Sequence, residues 1–269
     1  MFARLVFVLF LTTLILSPMN AQTTAPVRDP QALTLIASSL KALTGSTTVN
    51  DVILQATASY VAGSDEETGT TTLTASGNQQ SLVQLNLSGG ARQEMRNGPA
   101  GTWTGPDGTV HSMATHNCWT DASWFFPTLT LEAIAADPQT SVSYLGTDTS
   151  KGTPLLHIQV TRAPASQTAD VTALILTLST MDIYFDPQSF LPVVLDFNTH
   201  PDSNANVSLP VEIQFGNFQS VNGALVPFQI QKFLQRSLLL DLTVTNVVVN
   251  SGVPESTFIL PAVATGGAQ

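Results

Sequence analysis

The sequence predicts a mainly β protein: a single strongly curved antiparallel sheet, an unclosed barrel of about eleven strands, with two or three helices on its concave face. Three observations carry this. First, Val211–Pro261 reads as three consecutive half-buried strands joined by tight turns, with Leu238, Leu240, Leu242 and Val244 facing one way and Ser237, Leu239, Asp241 and Thr243 the other. The pleat sends successive side chains to opposite faces, so this alternation marks a sheet with one oily and one wet side. Second, the same two-residue period recurs along most of the chain with mainly short connections, and many twisted strands curl instead of lying flat. Third, helical patterning is scarce, enough to cover one face only.

Residues 1–21 read as a secretory signal peptide. Arg4 supplies the positive start, Leu5–Leu16 the apolar core, and Ser17, Pro18 and Ala21 a helix-breaking end with a small residue at the cleavage point. The apolar run is short for a bilayer span, and an uncleaved N-terminal anchor is the alternative. Residues 22–269 are expected to form a single domain, because neither an internal repeat nor a low-complexity linker breaks the pattern.

A first helix runs from Asp29 to Gly45. Asp29 is a good N-cap, Pro30 suits the first helical position, and Gly45 can close the end. Leu33, Ile36, Ala37, Leu40 and Leu43 form its apolar stripe. Val52, Leu54, Ala56, Ala58 and Tyr60 then share a strand face, and Asp65-Glu66-Glu67 reads as a solvated loop tip. A Thr-rich strand follows at Thr70–Ser76, and Val83, Leu85 and Leu87 alternate in the next. Ala91–Arg96 extends the series, and Gly105–Gly108 reads as a hairpin turn between short flanking segments.

Thr115–Asp137 loses the two-residue period. It carries Trp119, Trp124, Phe125 and Phe126, then a short helix over Leu131–Ala136 stopped by Pro138. Strands resume at Val142–Leu145 and around Leu156, Ile158 and Val160. Pro164–Asp170 reads as a polar loop. Met181, Ile183 and Phe185 lead into a turn at Asp186–Ser189, and Leu191, Val193, Leu195 and Phe197 return from it. His200–Asn206 is a polar loop before the last three strands.

Only 10% of residues are charged, against about 25% in ordinary globular proteins, so Thr, Ser, Asn and Gln must wet the surface. The formal charge of −10 repels nucleic acid and anionic membrane surfaces, so neither is an expected partner. Cys118 is the sole cysteine and has no intrachain partner.

Three segments resemble a known family. Ile183–Phe197 (IYFDPQSFLPVVLDF) is similar to a strand–turn–strand with an Asp-Pro turn and a Leu-Pro pair. Phe215–Ile230 (FGNFQSVNGALVPFQI) is similar to a segment with a Val-Asn-Gly turn and a Pro-Phe strand start. Val247–Phe258 (VVVNSGVPESTF) is similar to an ending in which an Asn closes the last long strand. The family is that of the periplasmic lipoprotein-sorting carriers and their relatives, the LolA/LolB-like fold. The resemblance implies an unclosed barrel with helices inside and a hydrophobic cavity for acyl chains. In the lipoprotein carrier proper an early-strand arginine serves the lid. Val49–Ser76 holds no Arg or Lys, and no lipid-attachment Cys follows the apolar run.

No G-x-S-x-G, P-loop or G-x-G-x-x-G occurs. His111, His116 and Cys118, with Asp107 or Asp121, could offer N, S and O atoms to zinc, but their spacing matches no zinc template and a structural role is preferred. His157 is expected on an exposed polar face, and Asp182 and Asp186 to be solvated beside Tyr184. No catalytic residue, metal or cofactor is assigned. The sharper signal is apolar. Val83, Leu85, Leu87, Trp103, Trp119, Trp124, Phe125, Phe126, Phe185, Leu238 and Leu240 are the expected lining or lid of a cavity, with a filled aromatic plug as the bland alternative. The expected function is that of an exported, non-enzymatic carrier or binding protein for a hydrophobic ligand (a lipid or other hydrophobic small molecule, an acyl chain or a lipoprotein), periplasmic or secreted, with an envelope protein as a further partner. A non-catalytic envelope module with a solid core is the alternative.

Overall fold

The structure, a computed structural model, describes residues 26–77, 79–162 and 168–263; the expected signal peptide lies outside them. In chain order the elements are α1 (Pro30–Thr44), β1 (Asp51–Ala62), β2 (Asp65–Ser76), β3 (Gln80–Leu87), β4 (Gly90–Asn97), β5 (Ala100–Thr104) and β6 (Val110–Met113). A 3₁₀ turn at Thr115–Cys118 precedes α2 (Pro127–Ala136), β7 (Thr140–Asp148), β8 (Leu155–Arg162), α3 (Ala169–Leu178), β9 (Met181–Phe185) and β10 (Pro192–Thr199). Then come β11 (Leu209–Val221), β12 (Ala224–Leu234), β13 (Ser237–Val249) and a second 3₁₀ turn at Glu255–Phe258. All strands join one antiparallel sheet in the order β6-β5-β4-β3-β2-β1-β13-β12-β11-β10-β9-β8-β7. That is thirteen strands and not about eleven, because the short β5 and β6 pair fully as an edge hairpin.

The order explains the architecture. Two meanders, β1–β6 and β7–β13, meet along the β1/β13 seam. β6 and β7 are therefore opposite edges of one open sheet, and the chain from Met113 to Thr140 must cross from one edge to the other. It crosses over the concave side, and every residue from Thr120 to Leu131 is buried. Register slips bend the sheet at Thr245 and Leu239 on β13, at Leu145 on β7 and at Val193 on β10. Each extra residue kinks its strand and increases the local twist.

The seam is tied at its base. The Asn250 side chain accepts from Asn50 N at 2.7 Å and donates to Thr48 O at 2.8 Å. Buried Asp51 accepts from Ser251 N, Ser251 Oγ and Gly252 N at 2.7–3.0 Å. Asn250 sits at φ 58°, a left-handed conformation that Asn tolerates better than other side chains do. The C-terminal segment then lays Phe258 on Leu82 and Met95, on the convex face.

α1 is capped as expected: Asp29 Oδ1 accepts from Gln31 N, and Gly45 closes the end at φ 61°. Its buried stripe is Ala32, Leu35, Ile36, Ser39 and Leu43, while Ala37 is exposed. The stripe is turned from the expected one because α1 packs on α2 as well as on β7 and β12. α2 begins at Pro127, four residues before the expected start. Arg28 donates to the carbonyls of Ile134, Ala135, Asp137 and Thr140 at 2.9–3.1 Å, closing a helix end that has no basic residue in its own last turn. α3 was not expected. Its first residues, Ala169 and Asp170, fall within the expected Pro164–Asp170 loop, of which residues 164–167 lie outside the described ones. The acidic run at Asp65–Glu67 starts β2 and is not a loop tip, and Glu67 pairs with Arg92 at 2.7 Å.

Candidate functional site

The concave face is only partly filled. Phe125, Phe126 and Phe185 are fully buried, and with Leu129, Leu131, Leu54 and Leu73 they make a solid core under α1 and α2. Toward the mouth, between β3–β5 on one side and β12–β13 on the other, a cleft remains. It has two lobes of about 350 Å³ each, within the ~300–1,000 Å³ of small-molecule sites. Both lobes are bordered by Glu94, Trp103, Trp124, Lys232 and Leu239, so Trp124 and Lys232 stand at their junction.

The inner lobe wall follows from strand alternation. Val83 pairs with Glu94, which pairs with Trp103; Leu85 pairs with Arg92. Paired residues share a face, so the oily row of β3 and the charged row Arg92, Glu94 and Arg96 of β4 look into the same hollow. The Arg92 guanidinium forks onto both Glu67 oxygens at 2.7 Å and lies 4.9 Å from the Tyr60 ring centroid. That pairing holds the Glu67 carboxyl below the usual carboxylate range.

Among the expected lining residues, Val83, Leu85, Trp103, Trp124 and Leu240 come together around one lobe. Trp103 is 39% exposed at the rim, its Nε1 donating to Asp202 at 3.2 Å and its ring stacked on His111. Leu87 is buried further along β3. Phe125, Phe126 and Phe185 belong to the filled core and border neither lobe. Trp119 borders a separate crevice beside Ala133 and Ile134. Leu238 is on the wrong face: the slip at Leu239 pairs it with Phe233, while Leu240 pairs with Lys232. Leu239, expected to point outward, borders the cleft instead. A bulge depends on the partner strand, so period-two reading along β13 could not find it.

Sequence reasoning also missed Lys232 and Arg96, both hidden as polar positions in strands. Lys232 Nζ stands 4.4 Å from the Trp124 ring centroid, and among the described residues it makes neither a side-chain hydrogen bond nor an ion pair. Desolvation pulls its pKa below the usual lysine range. Arg96 is buried; its Nη atoms donate to Asp121 O and Thr120 O, and its Nε has no partner among the described residues. Trp124 Nε1 is likewise buried without a partner among the described residues. His200, a loop residue, is buried at the lobe wall, Nδ1 3.0 Å from Val207 O, and burial lowers its pKa.

Among the described residues no three His, Cys, Asp or Glu side chains converge to hold a metal ion. His111 stacks on Trp103, His116 meets His200 edge-on, and Cys118 is buried, which pushes its thiol pKa up. His157 is buried and not exposed: it stacks on Tyr184 on the convex face and contacts Asp182 at 2.8 Å. Lys151 bridges Asp196 and Glu212 above the same Tyr184, whose pKa burial pushes up to about 12. No helix among the described residues is long and apolar enough to cross a membrane.

No family model matches the chain, and no curated protein matches its sequence. Solved structures do. A domain from Vibrio parahaemolyticus described as an outer-membrane lipoprotein-sorting protein aligns at TM-score 0.52 and 12% identity, covering 85% of this chain and 96% of that one. A LolA superfamily protein from Nitrosomonas europaea aligns at TM-score 0.53 and 11% identity, covering 85% and 97%. A DUF1329 family protein from Desulfovibrio piger aligns at TM-score 0.50 and 12% identity, covering 88% and 98%. Likeness at such identity speaks for architecture alone: this chain has the LolA-like fold, an open antiparallel sheet wrapped around its own helices.

Proposed function

We propose that the protein is an exported carrier or binding protein for a hydrophobic ligand, such as a lipid, an acyl chain or an acylated protein. The observation that carries this reading is the unfilled, largely apolar lobe beside Trp124, walled by Val83, Leu85 and Leu240. An acyl chain laid there leaves water, and each buried methylene contributes about 0.8 kcal/mol. The Vibrio and Nitrosomonas neighbours, one described as lipoprotein-sorting, favour the same class of ligand. Export rests on the Arg4 and Leu5–Leu16 pattern, and N-terminal sequencing of the mature protein tests it.

The decisive experiment is a homologous series of neutral n-alkanols displacing N-phenyl-1-naphthylamine from delipidated protein. Affinity is expected to rise about fourfold per methylene, the equilibrium equivalent of that burial, until the cleft is full. A flat series, or no saturable probe binding, overturns the reading and leaves the solid-core envelope module.

A further inference from the structure

The cleft is apolar but not uncharged, and its charges are arranged unlike those of a general grease pocket. The chain as a whole carries −10, yet three of its nine Lys and Arg residues (Arg92, Arg96 and Lys232) border this one hollow. Arg92 is spent on Glu67, and the Nη atoms of Arg96 are spent on backbone carbonyls. Among the described residues Lys232 makes neither a side-chain hydrogen bond nor an ion pair. Its ammonium rests against the Trp124 face at 4.4 Å, worth about 0.5–2 kcal/mol. Glu94 borders both lobes but forms no ion pair with it among the described residues. Two neighbouring residues carry N–H groups, Trp124 Nε1 and Arg96 Nε, that are buried and, among the described residues, unpartnered. Buried donors ordinarily find acceptors. Here two such donors belong to residues that line the cleft beside the half-buried Lys232.

We infer that Lys232 anchors the anionic head of an amphiphile, a carboxylate or a phosphate, whose chain lies in the lobe beside Val83, Leu85 and Leu240. An oxyanion beside Lys232 supplies an acceptor that no described residue offers the ammonium. The inference rests on the carrier reading and deepens it: the ligand is anionic as well as hydrophobic.

The test compares four amphiphiles of one chain length, dodecanoate, dodecyl phosphate, dodecanol and dodecyltrimethylammonium, displacing N-phenyl-1-naphthylamine at neutral pH. The two anions are expected to bind about tenfold tighter than dodecanol, the size of one charge-assisted hydrogen bond, and the cation weaker. Dodecanoate against dodecyl phosphate separates a fatty-acid head from a phospholipid-type head. Lys232→Met is expected to bring the ratio of anion to dodecanol affinity from about ten down to about one, and Lys232→Arg to keep it near ten. Glu94→Gln is expected to tighten anion binding, which supplies a second readout if Lys232→Met does not fold. Equal affinity for all heads, or an anion advantage that survives Lys232→Met, overturns the inference while alkanol binding leaves the carrier reading standing. No binding of any amphiphile defeats both.

Discussion

Trp124→Ala, set beside Phe126→Ala, separates a lining aromatic from a filling one. Phe126 is fully buried and borders neither lobe, so its truncation should cost the usual ~3–5 kcal/mol of lost transfer plus sealed cavity. Trp124 is as buried from solvent, at 3% exposed, but its ring borders two lobes of about 350 Å³ each. The space it leaves joins an existing hollow, so most of the cavity cost, ~24 cal/mol per Å³ in a sealed site, does not arise. The transfer loss and the contact with Lys232 remain, together about 2–3 kcal/mol. For ligand binding the order reverses. Only 3% of Trp124 is open to the cleft, under about 10 Å² of a Trp that buries up to ~250 Å², so direct contact contributes only about 0.2 kcal/mol. The larger effect is that Trp124→Ala adds the indole's space to the two lobes, so the alkanol series should gain affinity over more methylenes before it levels off, while Phe126→Ala should leave the series unchanged. Urea denaturation gives the stabilities and probe titration the affinities. If Trp124→Ala costs as much stability as Phe126→Ala and leaves the alkanol series untouched, Trp124 is packing and the cleft does not receive the chain.

Three further expectations concern the frame around the cleft. A Cβ at Gly69 would meet Asn86 O at 2.0 Å, so Gly69→Ala must push β2 and β3 apart and should lower stability by at least ~1–3 kcal/mol in thermal unfolding. Asp51→Ala strips three hydrogen bonds from the seam and should cost roughly 2–3 kcal/mol, with early hydrogen exchange after Asn250 as its local sign. Glu67 carries a lowered pKa because it accepts from Arg92, so its folded form binds the proton less readily than the unfolded chain. The stability it contributes is present above the ordinary Glu pKa and lost as pH falls through the lowered one. Denaturation curves of wild type and Glu67→Gln should therefore differ at pH 7 and converge in strong acid; a gap that persists in acid refutes the pairing.

Much of the fold was legible because strand faces are local facts. Asp29, Pro30 and Gly45 bound α1 through caps that involve neighbours in sequence. Alternation at Val83, Leu85 and Leu87 places two of those residues on the cleft wall and buries the third. The members of the aromatic run part company: Trp124 borders the cleft, Phe125 and Phe126 fill the core, and Trp119 serves another crevice. That division depends on how the crossing segment settles between the two sheet edges, a matter of contacts far apart in sequence.

From the chain alone came the class of fold, the open curl, the oily inner wall and the strong acidity, since each depends on residue type and spacing of two or of three to four. Pairing decided the rest. The β1/β13 seam joins residues some two hundred positions apart, the slip at Leu239 exchanges Leu238 for Leu239 at the cleft, and Lys232 meets Trp124 across more than a hundred residues. Register across a sheet is a property of two strands, so one strand read by itself can name which residues share a face but not what that face will look upon.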